Sequence, residues 1–185
     1  MKKILFTVIL ALLIVVPTFA GNHDPAAITP LLKDAKISLL DGIDLAEKVS
    51  GPATSAKFEV SDDGKLALSV YTIPEGLGVE PERATLTELG GDAAQSPFQF
   101  TAEVFEDKEH IARASDHMTL LQLSKYSLRQ LVERALARKP GTPIDIRNPM
   151  VRNHRPVADV VIVDSSGKAH TVTVNVLTGR ARLGQ

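Results

Sequence analysis

The stretch HTVTVNVLTGRARL, His170 to Leu183, decides how the chain folds. Valines at 172, 174 and 176 alternate with Thr171, Thr173 and Asn175, the period-two pattern of a strand with one buried face. A Thr178-Gly179 turn and two arginines, Arg180 and Arg182, follow. Such a segment can grip a ligand or close a sheet, and the sequence upstream favours the sheet. Val157 to Val163 forms another apolar run, joined to the first by the turn composition Asp164-Ser165-Ser166-Gly167-Lys168.

A helix precedes these strands. In Ser127-Leu128-Arg129-Gln130 the Ser hydroxyl can accept the amide of Gln130 while the Gln side chain reaches back, a capping box. Leu128, Leu131, Val132, Ala135 and Leu136 then share one face, with Arg129, Glu133, Arg134 and Arg138 largely opposite, until Pro140-Gly141. Burying its four large apolar side chains contributes roughly 6 to 12 kcal/mol before entropy. The helix needs a sheet to lie on.

The same device occurs earlier. Ser38 opens a stretch with Leu39, Ile43, Ala46 and Val49 on one side, ended by Gly51-Pro52. Ser38, Leu39 and Ala46 match Ser127, Leu128 and Ala135 at a constant offset of 89, a candidate internal repeat. Lys57–Ser61 and Leu66–Ile73 read as strands joined by Asp62-Asp63-Gly64. GRARL from Gly179 also resembles ERATL from Glu82, at an offset of 97. The second unit is therefore expected to gain about eight residues, between Arg147 and Pro156.

A helix beginning Ser-Leu, then an antiparallel meander ending in a Val-Asp-x-x-Thr-Gly type of turn, resembles the PepSY domain. VNVLTGRARL carries that ending, with Leu177 in place of the customary Asp, and LGVEPERATL carries a degenerate copy. The resemblance covers most of Lys36 to Leu89 and Tyr126 to Leu183. It implies a small α+β unit found in propeptides of thermolysin-like metallopeptidases and in bacterial exported proteins, a family thought to restrain or bind peptidases at the cell surface. The expected fold class is α+β, tandem PepSY-like units of an amphipathic helix packed on an antiparallel β-sheet. The expected divisions are a leader over 1–20, an N-terminal extension over 21–35, unit 1 over 36–91, a connecting segment over 92–125 and unit 2 over 126–185.

The leader is read from Lys2 and Lys3, the apolar run Ile4 to Val16, and the small residues of Pro17-Thr18-Phe19-Ala20, a secretory signal peptide. The run is shorter than the roughly 20 residues that cross a bilayer. A mature form from Gly21, periplasmic or secreted and without a membrane span, is the expectation. Removing Lys2 and Lys3 leaves 19 basic residues against 22 acidic ones, a balance that argues against nucleic-acid binding. With no cysteine there is no disulfide and no thiol nucleophile.

In the connecting segment, Phe98, Phe100, Val104 and Phe105 suggest an extended strip that seals the gap between the units. Asp107 can cap a short helix through about Ala114. Leu120, Leu121 and Leu123 read as a buried strand or turn. No His-Glu-x-x-His or Gly-x-Ser-x-Gly motif occurs, so no enzyme and no cofactor are expected. Glu106 and His110, with Asp116 and His117 beyond, form a conceivable metal set weighed against a solvated helix face. His154 and His170 read as surface residues, and His23-Asp24 as part of a disordered terminus.

One segment stands out. IRNPMVRNHRPVA, Ile146 to Ala158, holds Arg147, Arg152, His154 and Arg155 and no acidic residue, inside an acidic chain. These four are the candidate partner-binding residues, weighed against arginines that are solvated or paired with nearby carboxylates. The expected function is a non-catalytic exported protein-binding module. In the form implied by the resemblance it is a peptidase inhibitor or modulator, whose partner is an exported peptidase or another envelope protein. The alternative is a periplasmic sensor or metal-binding protein.

Overall fold

The computed structural model describes residues 22–80, 83–105, 107–147 and 149–184. The expected leader, together with Gly21, Glu82 and Glu106, lies outside them. The described chain is α+β. Four helices, α1 (Pro25–Ile28), α2 (Leu39–Val49), α3 (Lys108–Gln122) and α4 (Leu128–Arg138), accompany nine strands. The strands are β1 (Ala53–Val60), β2 (Leu66–Thr72), β3 (Leu86–Asp92), β4 (Thr101–Phe105), β5 (Thr142–Ile146), β6 (Met150–Arg152), β7 (Arg155–Val163), β8 (Ala169–Asn175) and β9 (Ala181–Leu183). They form one antiparallel sheet in the order β4-β3-β2-β1-β5-β7-β8-β9, with β6 against β7. The two halves meet at a narrow seam, where β1 and β5 share only the pairs Ala56–Ile146 and Lys57–Asp145.

Both amphipathic helices start where their caps predict. Ser38 accepts the amide of Asp41, and Ser127 and Gln130 complete a capping box. α2 buries Leu39, Ile43 and Ala46, while α4 buries Leu128, Leu131, Val132 and Ala135, all against one face of the sheet. Each large side chain so buried stabilises the fold by roughly 1.5–3 kcal/mol. Close approach has a specific cause in α2: a Cβ on Gly42 would collide with Cδ2 of the fully buried Leu68. Val49, expected on the buried side, is 63% exposed because it stands in the last turn.

α3 lies on the opposite face, where Ala114 and Met118 pack with Ile73, Ala84 and Leu86. It is a helix through Gln122, so Leu120 and Leu121 are helical rather than a strand or turn. The i, i+3, i+4 set Ala114, Met118, Leu121 explains why helix prevails. The connecting segment also supplies an edge strand, β4, paired with β3. α3 touches β1, β3 and β6, and so reaches both sides of the seam.

Two further expectations change. By strand order from the seam, β1 and β5 begin 89 residues apart and so do β2 and β7, at Leu66 and Arg155. Between Arg147 and Pro156, where the gain is expected, the chain makes β6, a strand off the main path of the sheet that pairs with β7. Arg83–Leu86 enters β3, third from the seam, whereas GRARL forms β9, fourth from it. Five similar residues were too short a match to fix strand equivalence. The stretch before α2 is also built in: Asn22 bridges Val60, Asp24 caps α1 and Ile28 is 1% exposed.

Candidate functional site

Asn153 and His154 both have positive φ, 50° and 59°, so the β6–β7 connection is a two-residue turn of the type that twists with its strands. It sets Arg152 opposite Arg155. All four predicted residues are exposed, yet they do not form one patch. Arg147 stands apart, its Nε donating to Asp145 Oδ2 at 3.0 Å. Arg152 donates to both oxygens of Asp159, at 3.3 and 2.5 Å. The segment contains no acidic residue, but the residues bounding it, Asp145 and Asp159, supply its ion pairs. Asp159 is 5% exposed and also accepts from Thr173 Oγ1 at 2.7 Å. Burial pushes its carboxyl up; the Arg152 and Thr173 hydrogen bonds outweigh that and hold it below the usual range.

Arg152 and Arg155 line a groove of about 550 Å3 together with Asn153, Val157, Thr173, Asn175, Thr178, Arg180 and Arg182. Four arginines thus surround one concavity. Among the described residues no carboxylate lies within ion-pair reach of Arg155, Arg180 or Arg182. The turn after β8 brings Arg180 in: Asn175 Oδ1 accepts from the amides of Leu177 and Thr178, and Gly179 takes φ +66°. Register brings Arg182 in, because it pairs with Thr173 on the face that carries Asp159. The opening stretch therefore closes the sheet and also contributes half of the groove. The signal available beforehand was the polar face Thr171, Thr173, Asn175; which arginines it meets depends on pairings that are remote in sequence.

β9 ends the sheet order. Arg180 O and Gly184 N bond inward to β8, which by antiparallel alternation turns the amides and carbonyls of Ala181 and Leu183 outward. An unpaired sheet edge thus runs beside the arginine groove.

Among the described residues the conceivable metal set is not assembled. Glu106 is outside the described residues, and no group of three or more His, Asp or Glu is placed to hold a metal among those described. His110 Nδ1 contacts Asp107 Oδ2 at 2.5 Å, and its ring stacks on Phe105. Asp116 is exposed, whereas His117 turns toward the sheet, its Nδ1 buried without a partner among the described residues. Burial lowers the His117 pKa to about 4. His170 is half-buried, with Nε2 at 2.6 Å from Asp164 Oδ2, which Lys139 also approaches at 3.1 Å. Among the described residues no helix is long and apolar enough to cross a membrane.

Fold and groove together define an α+β protein with a nine-stranded antiparallel sheet and a basic concavity beside one edge. No family model matches the chain, and no curated protein matches it. Among solved structures it is similar to a protein of Clostridium difficile 630 described as a "putative lipoprotein (CD1622)", with 15% identity and a TM-score of 0.39. That likeness covers 81% of this chain and 93% of the other.

Proposed function

We propose that this is a non-catalytic, exported binding protein of PepSY type, which holds an extended acidic segment of an envelope partner at the β9 edge. The observation that carries this reading is the convergence of Arg152, Arg155, Arg180 and Arg182 on one groove in a chain whose acidic residues outnumber its basic ones. Main-chain pairing with Ala181 and Leu183 would supply affinity, and the arginines would select carboxylates on one face of the added strand. A peptidase inhibitor is the specific form that the PepSY resemblance suggests. The test is capture from an envelope extract, paired with titration of a ten-residue peptide carrying Glu at alternate positions. Binding of that peptide, lost with Lys in place of Glu, supports the reading; equal binding of both peptides overturns it.

A further inference from the structure

At the seam the sheet opens. Beyond Lys57–Asp145 the strands β1 and β5 diverge, and α1, α3 and the start of β6 close around the gap. The resulting cavity has a volume of about 450 Å3, within the roughly 300–1,000 Å3 of small-molecule sites. It is distinct from the arginine groove and shares no lining residue with it.

Its wall has two characters. Ile28, Phe58, Ile144, Ile146 and Val161, each almost fully buried, make an apolar floor, over which Pro25, Tyr71 and Met150 expose apolar surface. Lys57, Arg113, Arg147, Ser55 and His117 make a polar end. Each cation there has one carboxylate partner and donors to spare: Lys57 Nζ meets Glu59 Oε2 at 2.9 Å, Arg147 Nε meets Asp145 Oδ2 at 3.0 Å, and Arg113 meets Glu109. A guanidinium has five N–H donors, so Arg113 and Arg147 keep most of theirs; Lys57, whose ammonium also meets His23 Nε2 at 3.3 Å, keeps one of three. His117 adds a buried Nδ1 that no group among the described residues satisfies. An orphan polar atom in a wall costs free energy until something bonds it. Among the described residues Asp145 is the one carboxylate of the lining. Burial, partly opposed by Arg147, pushes its pKa up, and its ion pair with Arg147 offsets its charge.

We propose that this cavity binds a small amphiphilic anion, a single carboxylate on an unbranched apolar body, with its head among Arg147, Lys57 and His117 and its tail against Pro25, Tyr71 and Met150. A neutral amphiphile would fill the apolar part but leave the donors unmatched. A cationic one would face Lys57, Arg113 and Arg147. No covalent step is involved.

Calorimetric titration of the purified protein with decanoate, decanol and decyltrimethylammonium tests this. Decanoate should bind one per chain and decanol roughly tenfold or more weaker, the difference expected for charge-assisted hydrogen bonds, with no binding of the cation. Met150→Trp should abolish decanoate binding by filling the mouth, since Met150 is 38% exposed and its replacement leaves the core alone. Arg147→Gln should weaken it. Arg155→Glu with Arg182→Glu should leave it unchanged, which separates this site from the groove. Absence of decanoate binding, decanol binding as tightly as decanoate, or a Met150→Trp protein that binds like wild type overturns the proposal.

Discussion

Arg152 and Asp159 form a two-nitrogen ion pair in which the carboxylate is buried and the guanidinium half-exposed, at 47% of its side chain. The pair therefore matters to the fold through Asp159. Removing Arg152 leaves a buried carboxylate with Thr173 as its remaining side-chain donor, and an unsatisfied buried group costs about 1–3 kcal/mol. Arg152→Glu should lower the melting temperature clearly and Arg155→Glu hardly at all, although the two residues face each other across one turn. Because Asp159 is held below its unfolded value, its contribution is present above about pH 3.9 and is lost as pH falls through the lower, folded value. Equal melting temperatures for the two variants at pH 7 would show that the pair is not structural.

Gly42 is a second point where one atom decides packing. Its added Cβ would collide with Cδ2 of Leu68, which is fully buried, so the Leu68 side chain would have to shift within the core. Gly42→Ala should destabilise by about 1–3 kcal/mol, despite the better helix propensity of alanine. Urea unfolding checks the sign: a more stable variant would mean that α2 can lift off the sheet.

How much of this was legible in the sequence follows from the range of the interactions. The caps at Ser38 and Ser127, the apolar faces behind them and the strands on either side of Asp62-Asp63-Gly64 and Ser165-Ser166-Gly167 are set by neighbours within a few residues. All are observed. The full length of α3 was hidden because its buried side is only Ala114, Met118 and Leu121, with polar residues on the other faces. The site was half legible. Arg152 and Arg155 sit in a conspicuous basic run, but Arg180 and Arg182 join them only through β8–β9 pairing and the Asn175 turn. The cavity draws on α1, β1, α3 and β5, spread along the chain from Pro25 to Ile146, and leaves no local motif.

Ala46 and Ala135 are both 0% exposed, each on the inner face of its helix. Ala46→Glu and Ala135→Glu should each cost several kcal/mol, since each overpacks the site and buries a charge. Arg134, one residue before Ala135, is exposed, but its guanidinium lies 4.2 Å from the Tyr126 ring centroid. Arg134→Glu should therefore cost a little, about 0.5–1 kcal/mol, rather than nothing. Thermal melts of the three variants rank them; Arg134→Glu melting as low as Ala135→Glu would contradict the assigned face.

His117 predicts a pH dependence. Burial lowers its pKa from 6.5 to about 4; Asp116 opposes the shift and Arg113 adds to it. Between those values the unfolded chain holds a proton that the folded one does not. Stability should fall as pH drops from about 6.5 toward 4, and below that the loss is complete. Burial raises Glu88 and Asp145, which act in the opposite sense, so the informative quantity is the difference between wild type and His117→Gln. The variant should lose part of the slope in that window. Identical stability profiles from pH 7 to 4 would place His117 in a more solvated setting than its buried Nδ1 implies.

The groove makes the strongest demand on the proposed function. Arg155 and Arg182 are exposed and have no carboxylate within ion-pair reach among the described residues, so their charge is available to a partner and contributes little to folding. Arg155→Glu with Arg182→Glu reverses two of the four charges while leaving the Arg152–Asp159 pair in place. The double variant should melt within about 1 kcal/mol of wild type, yet lose capture of the envelope partner and of the alternating Glu peptide. Wild-type binding should weaken as salt rises, since contacts at an open groove are screened over about 10 Å at 0.1 M. Main-chain pairing at β9 adds an independent requirement. Replacing Ala181 with Pro removes an outward amide, and should weaken the same peptide even though every arginine remains. A double variant that binds the peptide as wild type does across the salt series would leave the arginines as ordinary solvated surface.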